Sequence, residues 1–204
     1  MPDPFNELVY DGQHPAPGTT VAQQWRPTSP QLRGDRTHRH RMLYDNVINQ
    51  FAVEVNPRYK QVVRGGARKT WCNIFSWDVT RAMDAEIPHW VNAVGEPVEP
   101  GTGNELTANA LLAWLGTHGG RYEWRRVGRQ DEAQRMANLG HPTVALKATG
   151  GIGHIAVIRP GPLTTTGPTI AQAGALNANR TTLYSVLGPD TEVELWTNDA
   201  GTEV

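Results

Sequence analysis

The chain has one cysteine among its 204 residues, Cys72, so it can build neither an internal disulfide framework nor a site needing two cysteine ligands. It also lacks a surplus of either charge. Nineteen Lys and Arg against 20 Asp and Glu leave a formal net charge of -1, with no bulk field to hold nucleic acid or an acidic membrane surface. No run approaches 18 consecutive apolar residues, which excludes a spanning helix of ordinary length. The first residues, Met1 to Tyr10, have neither the basic start nor the apolar run of a signal peptide. Internal repeats and low-complexity tracts are missing too.

What is present suffices for one domain. At 38% hydrophobic residues the chain can bury a core. Six of its 15 prolines stand at positions 2, 4, 15, 17, 27 and 30, where aliphatic residues are few. Proline fixes φ and removes a donor, so residues 1–36 read as an arm or linker and 37–204 as the folded domain. Met42, Leu43, Val47, Ile48, Phe51, Ala52 and Val55 recur at helical spacing and predict an amphipathic helix ended by Asn56-Pro57. Gly65-Gly66 breaks the chain, and Phe75, Val79, Ala82 and Met83 then form one stripe of a second helix that begins at or near Cys72.

After a Pro- and Gly-rich irregular segment, residues 105–117 and 131–139 read as two further helices. Short apolar or alternating runs at 143–146, 154–158, 169–172 and 192–196 then read as strands. Helices first and strands after predict an α+β domain with helices packed on a central antiparallel sheet.

Cys72 is the residue through which chemistry is most readily argued. The unpaired N–H groups and dipole of a helix N-terminus favour a thiolate, which can attack carbonyl carbon. The plain alternative is a small buried side chain at a helix end. His154 opens the run His154-Ile155-Ala156-Val157-Ile158 and is entered through Gly150, Gly151 and Gly153. At a sheet's edge a ring can serve as a base without being entombed. His38, His40 and His141 sit in polar, turn-like sequence, His89 follows a proline, and His118 precedes two glycines.

A third group should orient the imidazole, and Gln172 on the next strand is the candidate. If the two strands are antiparallel neighbours with Ile158 against Pro168, Gln172 stands opposite His154 on the same face. Asn177 and Asn179, in the loop expected to follow, are substitutes, and a solvent-facing glutamine is the alternative. No metal site is expected. The arginines beside His38 and His40 repel a cation, and the glycines at 150–153 lack the following helix of a dinucleotide fingerprint.

The segment Trp71-Cys72-Asn73-Ile74-Phe75 resembles the cysteine-bearing helix start of the NlpC-type and CHAP-type papain-like amidases. Gly153-His154-Ile155-Ala156-Val157-Ile158 is similar to their histidine strand. The resemblance covers about residues 65–175, and is closest to type VI secretion amidase effectors and phage-type lysins. It implies a papain-like fold and hydrolysis of amide bonds in peptidoglycan stem peptides without a cofactor. Cys72 would be the nucleophile, His154 the base and then the acid, and Gln172 the orienting residue. Trp71, Asn73, Trp77 and Trp90 would line the peptide groove.

The chain departs from the family in two places. Val144-Ala145-Leu146-Lys147 stands where many members carry a Gly-Asp pair, and the third residue is commonly His, Asn, Asp or Glu rather than Gln. The implied partners are the wall peptide and an immunity or delivery protein. Delivery by a phage or secretion machine to the periplasm or cell exterior is the implied setting. A protease acting on proteins, and a non-catalytic virion or cell-surface binding module with a structural Cys72, are the competing readings.

Overall fold

The protein is described here by a computed structural model covering residues 27–64, 67–189 and 192–200. Gly65, Gly66 and residues 1–26 lie outside these, as do the corresponding expectations of a chain break and of an arm over that stretch. In chain order the elements are α1 (Arg41–Asn49), β1 (Val62–Arg64), β2 (Ala67–Lys69), α2 (Cys72–Ala82), β3 (Trp90–Val91), β4 (Asn104–Glu105) and α3 (Ala108–His118). There follow β5 (Trp124–Val127), α4 (Gln130–Leu139), β6 (Thr143–Lys147), β7 (His154–Ile158), β8 (Thr169–Ala173), β9 (Asn177–Thr182), α5 (Leu183–Leu187) and β10 (Glu194–Asn198). The fold is α+β. Six strands form one sheet in the order β5-β10-β6-β7-β8-β9, every neighbouring pair antiparallel, and β1-β2 and β3-β4 make two small two-stranded sheets.

The central strands are apolar because they are covered on both faces. Alternate residues of a strand face opposite ways, so Ala145 and Ala156, directly paired, look one way while Leu146 and Ile155 look the other. The alanines pack in a cluster with Ile74, Phe75 and Val79 of α2. Leu146 and Ile155 pack with Leu111, Trp114 and Leu115 of α3. Small residues beneath α2 let that helix approach the sheet closely. Each fully buried aliphatic or aromatic side chain there stabilises by about 1.5–3 kcal/mol.

The helix under the nucleophile candidate is also fixed from behind. Asp78 of α2 accepts from Arg58 Nε at 2.6 Å, Arg58 Nη2 at 3.0 Å and the Tyr59 hydroxyl at 2.7 Å, with both charged side chains 1% exposed. A buried carboxylate is tolerated because two guanidinium donors and a hydroxyl satisfy it.

Several boundaries differ from the sequence reading. The first helix stops at Asn49, because the chain turns through Ala52 in the left-handed region (φ 44°), and Asn56 caps a short 3-10 turn at Pro57. Met42 and Val55, expected on its apolar stripe, are 65% and 75% exposed. The helix expected from residue 105 begins at Ala108, where the Thr107 hydroxyl accepts from Ala110 N.

Two strands of the main sheet were not expected. Arginine-rich surroundings (Arg121, Arg125, Arg126 and Arg129) hide β5, whose outer residues Trp124 and Val127 are buried and inner two exposed. The polar run of β9 replaces the expected loop, and its asparagines do structural work: Asn177 Nδ2 donates to Val53 O and Tyr59 O, both at 2.9 Å. Within the stretch read as an arm, Leu32 exchanges two 2.9 Å hydrogen bonds with the Gln50 carboxamide, and Gly34 N donates to Ala82 O at 2.8 Å. Residues 32–34 are therefore fastened to the domain at α1 and the end of α2.

Candidate active site

Cys72 is the first residue of α2. Its preceding residue, Trp71, supplies no side-chain cap, so the N–H groups of the first turn are left to the sulfur and to Asn73, whose Oδ1 accepts from Ile74 N at 3.0 Å. The thiol is 3% exposed and stands at one wall of an open cleft with a void of about 260 Å³. Lys69, Thr70, Trp71, Asn73, Glu105 and Gly153 share that lining.

The helix-start position alone would favour a thiolate, but burial is the larger effect. Desolvation pushes the Cys72 thiol up, against the N–H groups of Ile155, Asn73 and Cys72 itself and the Thr70 hydroxyl, all of which favour the ionised form. Cys72 at rest is thus a neutral thiol held among donors suited to a developing negative charge.

His154 is the first residue of β7, as expected. Its two chain neighbours both border Cys72: Ile155 through its N–H to the sulfur, and Gly153 through the shared cleft wall. His154 also shares its sheet face with Ala156, which packs in the cluster of Phe75 and Val79 of α2. Desolvation lowers its pKa to about 4, with the Gln172 side chain opposing and the positive charge of Lys147, its β6 partner, assisting. The ring is neutral at physiological pH and available as a base.

Gln172 is 3% exposed rather than solvent-facing. The register differs from the expected one by two residues: Ile158 pairs with Ile170, not Pro168, and Arg159 N donates to Thr169 O at 3.0 Å. Continued along the strands, that register sets Gln172 opposite Ala156. A shift of two preserves the face, so Gln172 and His154 still look the same way.

Gln172 Oε1 and His154 Nε2 are both buried without a well-aligned partner, yet the carboxamide raises the His154 pKa as an acceptor of the ring N–H does. We read them as a contacting pair whose alignment falls short of a full hydrogen bond. Gln172 Nε2 donates to Leu176 O, which fixes the carboxamide with its oxygen free for the ring. Gly174 is tucked against both: a Cβ there would lie 2.3 Å from Gln172 Oε1 and 3.2 Å from His154 Cε1. The substitute candidates are placed elsewhere, Asn177 on Val53 and Tyr59 and Asn179 on Asn49 and Glu54.

Of the four residues expected to line a peptide groove, Trp71 and Asn73 do line the Cys72 cleft, and Trp77 and Trp90 are not among its lining residues. Trp77 donates to Glu86 Oε1 at 2.7 Å and faces a separate groove with Arg81 and Pro97. Both tryptophans instead enclose His89, with ring centroids at 5.5 and 5.9 Å.

His89 was set aside in the sequence because it follows a proline, yet it is 1% exposed and touches two cleft residues. Asn73 Nδ2 lies 3.3 Å from its Nδ1, and Glu105 Oε1 lies 3.3 Å from its Nε2. Nothing local in the sequence marks that contact, which depends on β3 pairing with β4. Among the described residues no group of three or more His, Cys, Asp or Glu could hold a metal ion.

Fold and site together describe an α+β domain with a buried thiol at a helix start and a neutral strand-edge histidine whose two chain neighbours border that thiol. No protein-family model and no curated protein matches the chain.

Proposed function

We propose that the chain is a cysteine hydrolase of the papain-like kind, cleaving amide bonds of the peptidoglycan stem peptide. The observation that carries the reading is the donor set around Cys72: a helix-start sulfur in an open cleft, receiving the N–H of the residue next to His154. The resemblance of segments 71–75 and 153–158 to NlpC-type and CHAP-type amidases supplies the substrate class.

The chemistry follows from the neutral resting pair. As the sulfur attacks the carbonyl carbon, His154 takes the thiol proton, the S–C bond forms and the carbonyl π pair moves to oxygen. N–H groups at the start of α2 are the donors for that oxyanion. When the oxygen pair returns, the C–N bond breaks and His154 passes its proton to the departing amine. Water, deprotonated by the same ring, attacks the thioester, and the proton returns to sulfur as the acid leaves. Gln172 holds the ring through its carboxamide oxygen. A neutral amide stabilises imidazolium less than a carboxylate does.

The deep burial and raised pKa of Cys72 favour a second reading, a non-catalytic binding module with a structural cysteine. Digestion of purified sacculi separates the two. The hydrolase releases new amino groups, readable by mass spectrometry at a defined stem-peptide bond, and Cys72→Ala abolishes the release while the circular dichroism spectrum is retained. Release undiminished in Cys72→Ala, or no release by the wild type, rejects the hydrolase. Cleavage of denatured proteins but not of sacculi redirects the reading to a protease.

A further inference from the structure

Among the described residues, Glu105 is the one acidic side chain in the lining of the Cys72 cleft. Its side chain is 40% exposed, and the His89 ring behind it is wholly buried. The hydrogen-bond accounting around His89 fixes which proton faces Glu105. Asn73 Nδ2 has two hydrogens and two acceptors, Leu106 O at 3.0 Å and His89 Nδ1 at 3.3 Å. Nδ1 therefore accepts, which leaves an Nε2 proton facing Glu105 Oε1 at 3.3 Å.

That contact is close but not aligned as a full hydrogen bond, so the carboxylate is backed by the ring without being neutralised by it. Leu106 N donates to His89 O at 2.9 Å and Trp90 pairs with Glu105 across β3 and β4, so ring and carboxylate ride on one short, fixed ladder. No hydrogen bond to the second Glu105 oxygen is present among the described residues, and no ion pair joins Glu105 to Lys69 in the same lining. A fixed, half-exposed carboxylate with a free oxygen, in the same cleft lining as Trp71 and Cys72, suits a primary ammonium group.

We infer that Glu105, held by His89, is a specificity residue that selects substrates carrying a free primary ammonium group near the scissile bond. This rests on the hydrolase reading for what is cut, but the subsite itself is a binding property and is tested as one. The probes are a stem-type peptide of Ala, Glu, Lys and Ala with both amino groups free, and its twin with both acetylated, titrated calorimetrically into Cys72→Ala protein.

The expected result is about fivefold or more tighter binding of the free-amine peptide, in keeping with a partly exposed ion pair, shrinking as salt rises. Glu105→Gln in the same background should bring the two peptides within about twofold of each other by weakening the free-amine peptide only. Equal binding of both peptides to Cys72→Ala protein, or a preference that survives Glu105→Gln, overturns the inference. Wild-type turnover of the same two peptides reports separately on the hydrolase reading, so failure of one is distinguishable from failure of the other.

Discussion

Gly174→Ala tests the orienting contact with the smallest available perturbation. The new Cβ would lie 2.3 Å from Gln172 Oε1, far inside contact distance, and 3.2 Å from His154 Cε1. The strand end carrying Gly174 is buried, so the movable partner is the Gln172 carboxamide, which must swing away from the ring. Gln172 raises the His154 pKa from the level set by burial, so displacing it should drive that pKa below the wild-type value of about 4.

Loss of one imperfect hydrogen bond should cost about 1 kcal/mol of stability, readable as a small drop in Tm. Loss of ring orientation should lower kcat about 10- to 100-fold with little change in KM, by analogy with the loss of outer-shell partners at other sites. The assays are an NMR titration of the imidazole and steady-state hydrolysis of a stem peptide. A variant with unchanged His154 pKa and unchanged kcat would refute the assignment of Gln172 to that ring.

Three further outcomes follow from the buried groups around this site. Asp78→Ala strands the buried Arg58 guanidinium and removes the acceptor of the Tyr59 hydroxyl, so it should cost about 3–5 kcal/mol in urea unfolding; a loss under 1 kcal/mol would contradict the buried pair. Between pH 6.5 and about 4 the unfolded chain binds a proton at His154 that the folded chain refuses, so stability should fall as pH drops through that window. The loss attributable to His154 is up to about 3 kcal/mol, and His154→Gln should show a correspondingly flatter pH profile by thermal denaturation; an unchanged profile would place the ring in solvent. Because burial raises the Cys72 thiol, its alkylation by iodoacetamide should be slow at pH 7 and still accelerating at pH 9, whereas a plateau reached below pH 8 would mean that the helix start outweighs burial.

The parts of the fold legible in the sequence are those where one face is buried. The stripe from Phe75 to Met83 marks α2 because that face meets the sheet, and the apolar runs of β6 and β7 mark strands covered on both sides. The polar β9 is invisible to periodicity because it is held by the Asn177 side chain, which reaches two backbone carbonyls of the α1–β1 connection, and by Asn179 on the Asn49 side chain. Cys72 and His154 were legible because element starts have local signatures.

The state of the thiol was not legible. Its environment is made by β7 and by the residues of α3 and its approach, contributed 33 to 83 residues further along the chain, and burial there outweighs the helix N-terminus. Gln172 came out on the expected face despite a register two residues off, since strand parity survives an even shift. The exclusion of Trp77 and Trp90 from the cleft, and the presence of His89 behind it, depend on where the chain from 84 to 105 folds back. No spacing rule encodes that path.

Intact-mass analysis of the protein quenched during turnover of a stem peptide tests the nucleophilic role of Cys72 most directly. The expected result is a transient mass increase equal to the acyl portion of the substrate, mapped to Cys72, absent in Cys72→Ala and failing to accumulate in His154→Ala. Product formation by Cys72→Ala at the wild-type rate, with no adduct on any variant, would contradict it.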